Sequence, residues 1–330
     1  MSHLTYAEAI VVGLIQGVSE LFPVSSLGHN VLIPALIGGS WANDLNVARP
    51  ESPYLAFIVG MHVATAIALM IYFWRDWIRI IGGFFTSIRR LRVETTDQKL
   101  AWMIILATIP VGLVGVVFEH EFRVLFGKPI RAAIFLVVNG LILFAGERFR
   151  TRKSLAADAQ VLRERNESGE VADRSERIVA GHASGQRAVR QAEISEAVQS
   201  DRRLTAASFL EALIIGTAQI LALLAGISRD GVAMVAGMFR GLSREDAARF
   251  AFLLATPVIL AAGVLKVPDL TGPLGNGIRG QILVGSLLSG IGAYLSVRFL
   301  VRYFQTRTLT PFAIYCVVFG LGSIIYLSVK

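Results

Sequence analysis

The chain carries one cysteine, Cys316, among 330 residues. A lone thiol closes no disulfide within the chain, which excludes a disulfide scaffold. Charge is scarce as well: Asp, Glu, Lys and Arg make up 17% of positions, where soluble domains hold roughly 25%. What charge there is sits unevenly. Glu147–Arg203 holds 22 of the 56 charged residues within 57 positions, and Thr151–Arg203 contains no aromatic residue and no proline. The remainder is sparsely charged, which excludes a disordered chain and a soluble globular enzyme.

What replaces charge is a set of long apolar runs. They lie near 54–74, 101–118, 130–146, 248–266, 281–300 and 311–329, each about long enough to cross a ~30 Å hydrocarbon layer as a helix. The composition therefore predicts an all-α polytopic membrane protein with about six transmembrane helices. The net charge of +8 belongs to membrane loops under this reading, and no nucleic-acid partner is expected. Three connections are basic: Arg75–Lys99, the stretch from Arg148 to Arg203, and Arg298–Arg307. The positive-inside rule places them in the cytoplasm. The alternate connections Gly39–Ser52, Glu119–Lys128 and Val267–Arg279 carry no net positive charge. No basic region precedes the first apolar stretch and no small-residue cleavage site follows it, so no cleaved signal peptide is expected.

Two segments resist this scheme. Residues 6–38 include Glu8, Glu20, Pro23 and His29, and residues 204–239 include Glu211, Arg229 and Asp230. Each reads as helix, break, helix. Counted as full spans they spoil the alternation of basic loops; counted as re-entrant pairs they preserve it. Broken backbone at membrane depth is tolerated where it is buried in protein or lines a wet cavity, so both breaks are expected to line one cavity.

The two segments also resemble each other. At an offset of 203 residues, Glu8-Ala9 matches Glu211-Ala212, Gly13 matches Gly216, Gln16 matches Gln219, Ser25 matches Ser228 and Gly28 matches Gly231. Copies that enter from opposite faces form an inverted-topology repeat, whose site lies at the broken helices. The expected organisation is a first membrane repeat over 1–147, a charged cytoplasmic insert over 148–203, and a second repeat over 204–330. For the insert, a solvated, partly helical loop is weighed above a regulatory domain.

The breaks contain phosphate chemistry. Gln16 and Glu20 lie four apart on one helical face, Pro23 is expected to end that helix, Ser25 and Ser26 follow in the break, and His29 opens the next helix. Gly226 and Gly231 permit the backbone angles of an anion-cradling turn. Ser228 and the free N–H groups of the following helix can donate to phosphate oxygens, and Arg229 can grip phosphate bidentately. Ionisable residues inside a membrane mark function by default. Glu8 and Glu211 are read instead as helix-start residues favoured by the dipole. His62 either lines the cavity or satisfies a helix contact. Asp230 either neutralises Arg229 or serves as a cation ligand. Ser26 is the candidate nucleophile with His29 as its base; direct attack by water activated by Glu20 or His29 is the alternative.

The stretch Gln16-Gly17-Val18-Ser19-Glu20-Leu21-Phe22-Pro23-Val24-Ser25-Ser26-Leu27-Gly28-His29 resembles the first signature of the undecaprenyl-pyrophosphate phosphatase family, of the bacitracin-resistance type. Gly226-Ile227-Ser228-Arg229-Asp230-Gly231 resembles the second; Phe252–Pro257 and Pro311–Tyr315 also fit. The resemblance covers nearly the whole chain except the insert. It implies an integral enzyme of the bacterial plasma membrane that removes the terminal phosphate of undecaprenyl pyrophosphate, recycling the lipid carrier for peptidoglycan synthesis. The site is expected to open to the outer face. It implies Glu20, Ser26, His29 and Arg229 as catalytic residues. Gln16, Ser25, Gly28, His62, Gly226, Ser228, Asp230 and Gly231 are expected around the substrate. A divalent cation, Mg²⁺ or Ca²⁺, is expected on Glu20 and Asp230. The partners are then a polyprenyl pyrophosphate and the bilayer, with a homo-oligomer left open. The chain departs from the pattern at Gln16 (often Glu), Leu27 (Ser or Thr), Ala225 (Pro), Asp230 (Ser) and Ala233 (Thr). Those departures keep open an altered paralogue that binds or flips isoprenoid phosphates without turnover.

Overall fold

A computed structural model describes residues 4–46, 53–126, 128–168, 199–272 and 276–329. Among these residues every regular element is helical, and no strand occurs. The first half contains α1 (Tyr6–Ser19), α2 (Ser26–Ile37), the short α3 (Gly39–Asp44), α4 (Pro53–Tyr72), α5 (Trp74–Arg90), α6 (Thr96–Phe126) and α7 (Pro129–Ser168). After α8 (Gln199–Ala206), the second half contains α9 (Phe209–Ala218), a 3₁₀ turn (Gln219–Leu223), α10 (Arg229–Phe239), α11 (Arg244–Thr271), α12 (Arg279–Thr306) and α13 (Thr310–Val329). Five of these helices contain apolar stretches long enough to span a bilayer by themselves: α6, α7, α11, α12 and α13. The 20-residue apolar α4 supplies the sixth. The chain is a multi-pass membrane protein.

The six spans fall on the six apolar runs, and each broken segment is a pair of short helices. Both pairs begin the same way. Thr5 caps α1 and Ser208 caps α9; in each case the third residue on, Glu8 or Glu211, reaches back to the cap's backbone N–H at 2.8 Å. This reciprocal arrangement satisfies two helix-end donors at once. It accounts for both glutamates as structural residues.

Packing shows where the pairs enter. Leu4 O accepts from Gln281 Nε2 at 3.0 Å, and a Cβ at Gly280 would strike the Tyr6 hydroxyl. The start of α1 therefore lies at the N-terminal end of α12, where Phe57 near the start of α4 also sits against Gly285. Because α2 leads through α3 to α4, the first pair returns to the end from which it came. The second pair does the same at the other end: Arg240, just after α10, binds Glu211, at the start of α9, at 2.9 Å. The pairs thus enter from opposite ends, and the halves form an inverted-topology repeat. Each half embraces the other, since α1 runs along α12 and α9 along α6. Glycine sets the approach in both places. A Cβ at Gly13 would lie 2.6 Å from Gly285 O, and one at its repeat mate Gly216 only 2.0 Å from Ala107 O.

Ion pairs tie the basic connections together at one end. Arg249, almost fully buried, joins Asp201 to Asp76, the latter at 2.9 Å. Arg79 binds Asp76, Asp97 and Asp201 at 2.6, 3.3 and 2.8 Å. Glu147 binds Arg244 and accepts from Leu309 N at 3.1 Å. Both borders of the charged stretch, Glu147 and Asp201, are therefore anchored to the membrane helices.

The structure corrects several boundaries. Arg75–Lys99 is no loop: an 87° bend at Phe73 turns the chain into α5. Ile78, Ile81, Phe85 and Ile88 expose one apolar face there, with Arg89 and Arg90 at its end. That is the pattern of a helix lying in the membrane interface, and its apolar spacing was in the sequence beneath the basic count. The start of the charged stretch is the continuation of α7 to Ser168, and residues 169–198 of the insert lie outside the described residues. Residues 204–206 belong to α8, which meets the following helix at 92°. Pro23 does not end α1; the helix ends at Ser19, and Pro23 falls within the turn.

The glycine contacts generate a stability prediction. Gly13→Val and Gly216→Val should each cost about 1–3 kcal/mol by overpacking, read as a lowered thermal midpoint in detergent. Gly112→Ala, with nothing within 4 Å, should leave the midpoint unchanged.

Candidate active site

The breaks of the two re-entrant pairs meet. Ser25 caps α2 and Ser228 caps α10, and each hydroxyl accepts from the glycine N–H three residues on, Gly28 at 3.2 Å and Gly231 at 3.1 Å. Ser25 holds an uncommon φ of +69°, and its hydroxyl also accepts from Gly226 N at 3.2 Å, across to the other loop. Gly226, at φ +113°, fits where a Cβ would lie 2.4 Å from Ala132 O; a Cβ at Gly28 would lie 2.9 Å from Gly226 Cα. Glycine is thus required on both sides of the junction. Two helix N-termini converge there, and their first N–H groups, at Ser26, Leu27, Arg229 and Asp230, precede any intrahelical acceptor. This is an anion-binding arrangement.

Glu20 lies at the centre. It is the C-terminal cap of α1, 8% exposed, and four groups converge on its carboxylate. Arg229 donates to Oε1 at 2.5 Å. Gln16 donates to Oε2 at 2.9 Å, the Ser26 hydroxyl makes a short hydrogen bond to the same oxygen, and His62 Nε2 stands 3.3 Å from it. Asn30 in turn donates to Gln16 Oε1 at 2.6 Å. Gln16 is fully buried behind Glu20, and its amide orients the carboxylate. His62 faces two acceptors, Ile58 O at 2.9 Å and Glu20, and only the imidazolium form satisfies both. Its side chain and that of Arg229 are the more open members, at 27% and 16%.

His29 stands apart from Ser26. Its Nδ1 lies 2.7 Å from Ser25 O and its Nε2 2.7 Å from the Tyr315 hydroxyl. With Nδ1–H on a carbonyl, the neutral ring takes the Tyr315 hydrogen at Nε2. The ring stacks on Tyr315 and Phe319 at 5.7 and 5.3 Å. His29 also lies in the first turn of α2, whose first residue is Ser26. The hydrogen-bond partner of Ser26 is Glu20, which places the expected serine–histidine pair elsewhere in this resting geometry.

Asp230 stands within ion-pair distance of Arg229, one of its two expected roles. It is 1% exposed, its nearest approach to Arg229 is 3.8 Å, and neither carboxylate oxygen has a hydrogen-bond partner. Arg229 Nε is equally unpartnered. Among the described residues no three His, Cys, Asp or Glu side chains form a metal cluster. The residues that sequence reasoning missed are Asn30, Asn139 and Tyr315. Asn30 follows His29 directly and sits one turn after Ser26, a signal of proximity. Asn139 and Tyr315 come from distant helices, and nothing local marks them.

Two sets of relatives match the chain. The family described as Bacitracin resistance protein BacA matches residues 9–322. A protein of Mycolicibacterium paratuberculosis named undecaprenyl-diphosphatase is 55% identical, over 100% of this chain and 99% of its own length. Frankia alni undecaprenyl-diphosphatase 2 is 54% identical over 97% of each chain, and the Chromobacterium violaceum protein of the same name is 38% identical over 97% and 98%.

The two-way role of the Ser25 hydroxyl sets a test. Ser25→Ala should lower stability by about 1–2 kcal/mol, the usual cost of a lost N-cap, measured by thermal unfolding in detergent.

Proposed function

The chain belongs to the bacitracin resistance protein BacA family, and from that premise we propose that it hydrolyses undecaprenyl pyrophosphate to undecaprenyl phosphate and inorganic phosphate. The observation that carries the mechanism is the convergence of Ser26, Arg229 and His62 on Glu20. A pyrophosphate needs positive charge on its oxygens, a nucleophile and a route for protons, and positioning with electrostatics carries most phosphoryl transfer. Arg229 retains donors beyond the one given to Glu20, and His62 adds a second cation. The N-termini of α2 and α10 supply backbone N–H groups.

In this reading the Ser26 hydroxyl attacks the terminal phosphorus while Glu20 takes its proton. The bond from that phosphorus to the bridging oxygen breaks, and undecaprenyl phosphate leaves. Water then attacks the phosphoserine and passes a proton to a phosphate oxygen, the bond from phosphorus to Ser26 Oγ breaks, Glu20 returns its proton to Ser26, and inorganic phosphate leaves. Direct attack by water on the pyrophosphate is the second route. The Ser26–Glu20 hydrogen bond favours the first, because it holds the nucleophile and its base in contact already.

A divalent cation, Mg²⁺ or Ca²⁺, belongs to the same proposal. Asp230 would offer it two buried oxygens that lack hydrogen-bond partners, and Glu20 would be the second carboxylate. Hard cations take such oxygen ligands, and a bound cation would neutralise charge on the pyrophosphate.

The prenyl chain needs an apolar path from this site. A groove of about 750 Å³ runs along α13, lined among others by Leu36, Ile314, Val318 and Tyr326. Its wall includes Tyr315 and Phe319, the rings stacked on His29. We assign the tail to it. The basic end of the molecule lies in the cytoplasm in this proposal, together with the insert 148–203 between the membrane halves 1–147 and 204–330. The site opens to the outer face of the plasma membrane.

Purified protein in detergent should release phosphate from undecaprenyl pyrophosphate. Arg229→Ala and Glu20→Gln should each lower kcat by ~10²-fold or more, and EDTA should abolish release until cation is restored. Well-folded protein that binds the lipid but releases no phosphate would make it the binding or flipping paralogue. The groove has its own test. Gly322 has nothing within 4 Å, so Gly322→Phe should fill the groove without disturbing the fold. It should raise KM for undecaprenyl pyrophosphate and leave that for farnesyl pyrophosphate unchanged.

A further inference from the structure

Asn139 lies in α7, fully buried, and touches none of the reacting groups. Its amide nevertheless joins the two breaks. Nδ2 donates to Pro23 O at 3.0 Å, in the first loop, and Oδ1 accepts from Ser228 N at 2.9 Å, in the second. The remaining Nδ2 hydrogen faces Cys316 Sγ at 3.4 Å, on α13. The orientation of the amide is fixed by its backbone partners, because a carbonyl can only accept and an N–H can only donate. All hydrogens of the amide are used.

The two backbone groups it holds are consequential ones. Pro23 O lies two residues before Ser25, the cap of α2, and three before Ser26. Ser228 N belongs to the cap of α10, immediately before Arg229. Both are in the buried interior, where an unmade backbone hydrogen bond is costly. Gly140, the next residue, presses α7 onto α13, with a Cβ there lying 2.7 Å from Ala313 O. The helix that carries Asn139 is therefore a fixed base.

We infer that Asn139 is a positioning residue that sets the separation of the Glu20–Ser26 loop from the Arg229 loop. One rigid amide spans them, so any shift of one loop is passed to the other. The catalytic consequence rests on the phosphatase reading above; the structural one does not. A loop misplaced by an ångström costs a positioned reaction about 10²-fold and leaves substrate affinity largely to the charges, which remain present.

The test uses the full-length protein. Asn139→Leu keeps the branching and the number of side-chain heavy atoms and removes all three hydrogen bonds; Asn139→Asp keeps an acceptor for Ser228 N and loses the amide donor to Pro23 O. Phosphate release should fall in kcat by ~30–100-fold for Leu and by less for Asp, with KM within about threefold. In an Arg229→Lys background, where the second loop is already impaired, Asn139→Leu should cost only a few-fold more. Deuterium exchange read by mass spectrometry should quicken in peptides covering 22–29 and 225–232 and stay unchanged at 209–216. Losses that multiply fully in the double variant would overturn the inference, as would unaltered exchange in both loops. If Asn139→Leu does not fold, Asn139→Asp decides by the same readings. If the wild type releases no phosphate, the phosphatase reading fails alone, and exchange still decides the strut.

Discussion

The buried carboxylate of Glu20, shared by Arg229, His62, Ser26 and Gln16, is the contact on which the rest of the site depends. Glu20 ends the first helix of one re-entrant pair, and Arg229 begins the second helix of the other. Their ion pair is the charged link between two loops that enter from opposite ends. An exposed pair of this kind contributes about 0–1 kcal/mol, whereas losing one partner of a buried pair costs about 3–5 kcal/mol. Burial thus makes each loop's placement contingent on the other's. Under the proposed function, a phosphate bound by Arg229 would compete with Glu20 for the same guanidinium.

Such a site requires broken helices, and broken helices inside a membrane require partners for their backbone groups. Those partners come from serine hydroxyls at the caps, from Asn139 between the loops, and from glycines that let backbone touch backbone. The enclosing spans contribute little polarity of their own. They press α1 against α12 and α9 against α6 through Gly13 and Gly216, in keeping with the close helix contacts that small residues permit in membranes. The charged network around Arg249 and Arg79 sits at one end, anchoring the borders of the insert.

Much of this was legible in the sequence, for a physical reason. Caps, glycine turns and apolar runs are local features, and Thr5–Glu8, Ser208–Glu211, Gly28 and Gly226 could be read in isolation. The re-entrant pairs followed from charge placed where a span forbids it. What could not be read was partnership across the fold. His62 was ambiguous because its apolar helix says nothing of the carboxylate 42 positions earlier in the chain. Ser26 was assigned to His29 by proximity in sequence, yet a helix turn carries that ring to Tyr315, a residue 286 positions away. Asn139 lay within an apolar run that reads as a plain span. α5 was hidden by its arginines, which outweigh its apolar spacing in any count of charge.

The duplication explains which residues repeat and which do not. At the offset of 203, the residues in common from Gln16 onward through the breaks are Gln16 with Gln219, Ser25 with Ser228 and Gly28 with Gly231. The serines and glycines are those that a helix start at membrane depth demands of any sequence. The chemistry is unshared: Glu20 faces Leu223, His29 faces Val232, Asn30 faces Ala233, and Ser26 occupies the position of Arg229. Directly after the same serine cap, one copy places a serine and the other a cation. Gln219 shows the remainder of that divergence. Gln16 is satisfied by Asn30 and Glu20, but its mate is equally buried and its amide has no hydrogen-bond partner. Glu20, Ser26 and His29 lie in one copy and Arg229 in the other, so the charges that meet across the junction are opposite, and a single site forms between the two breaks.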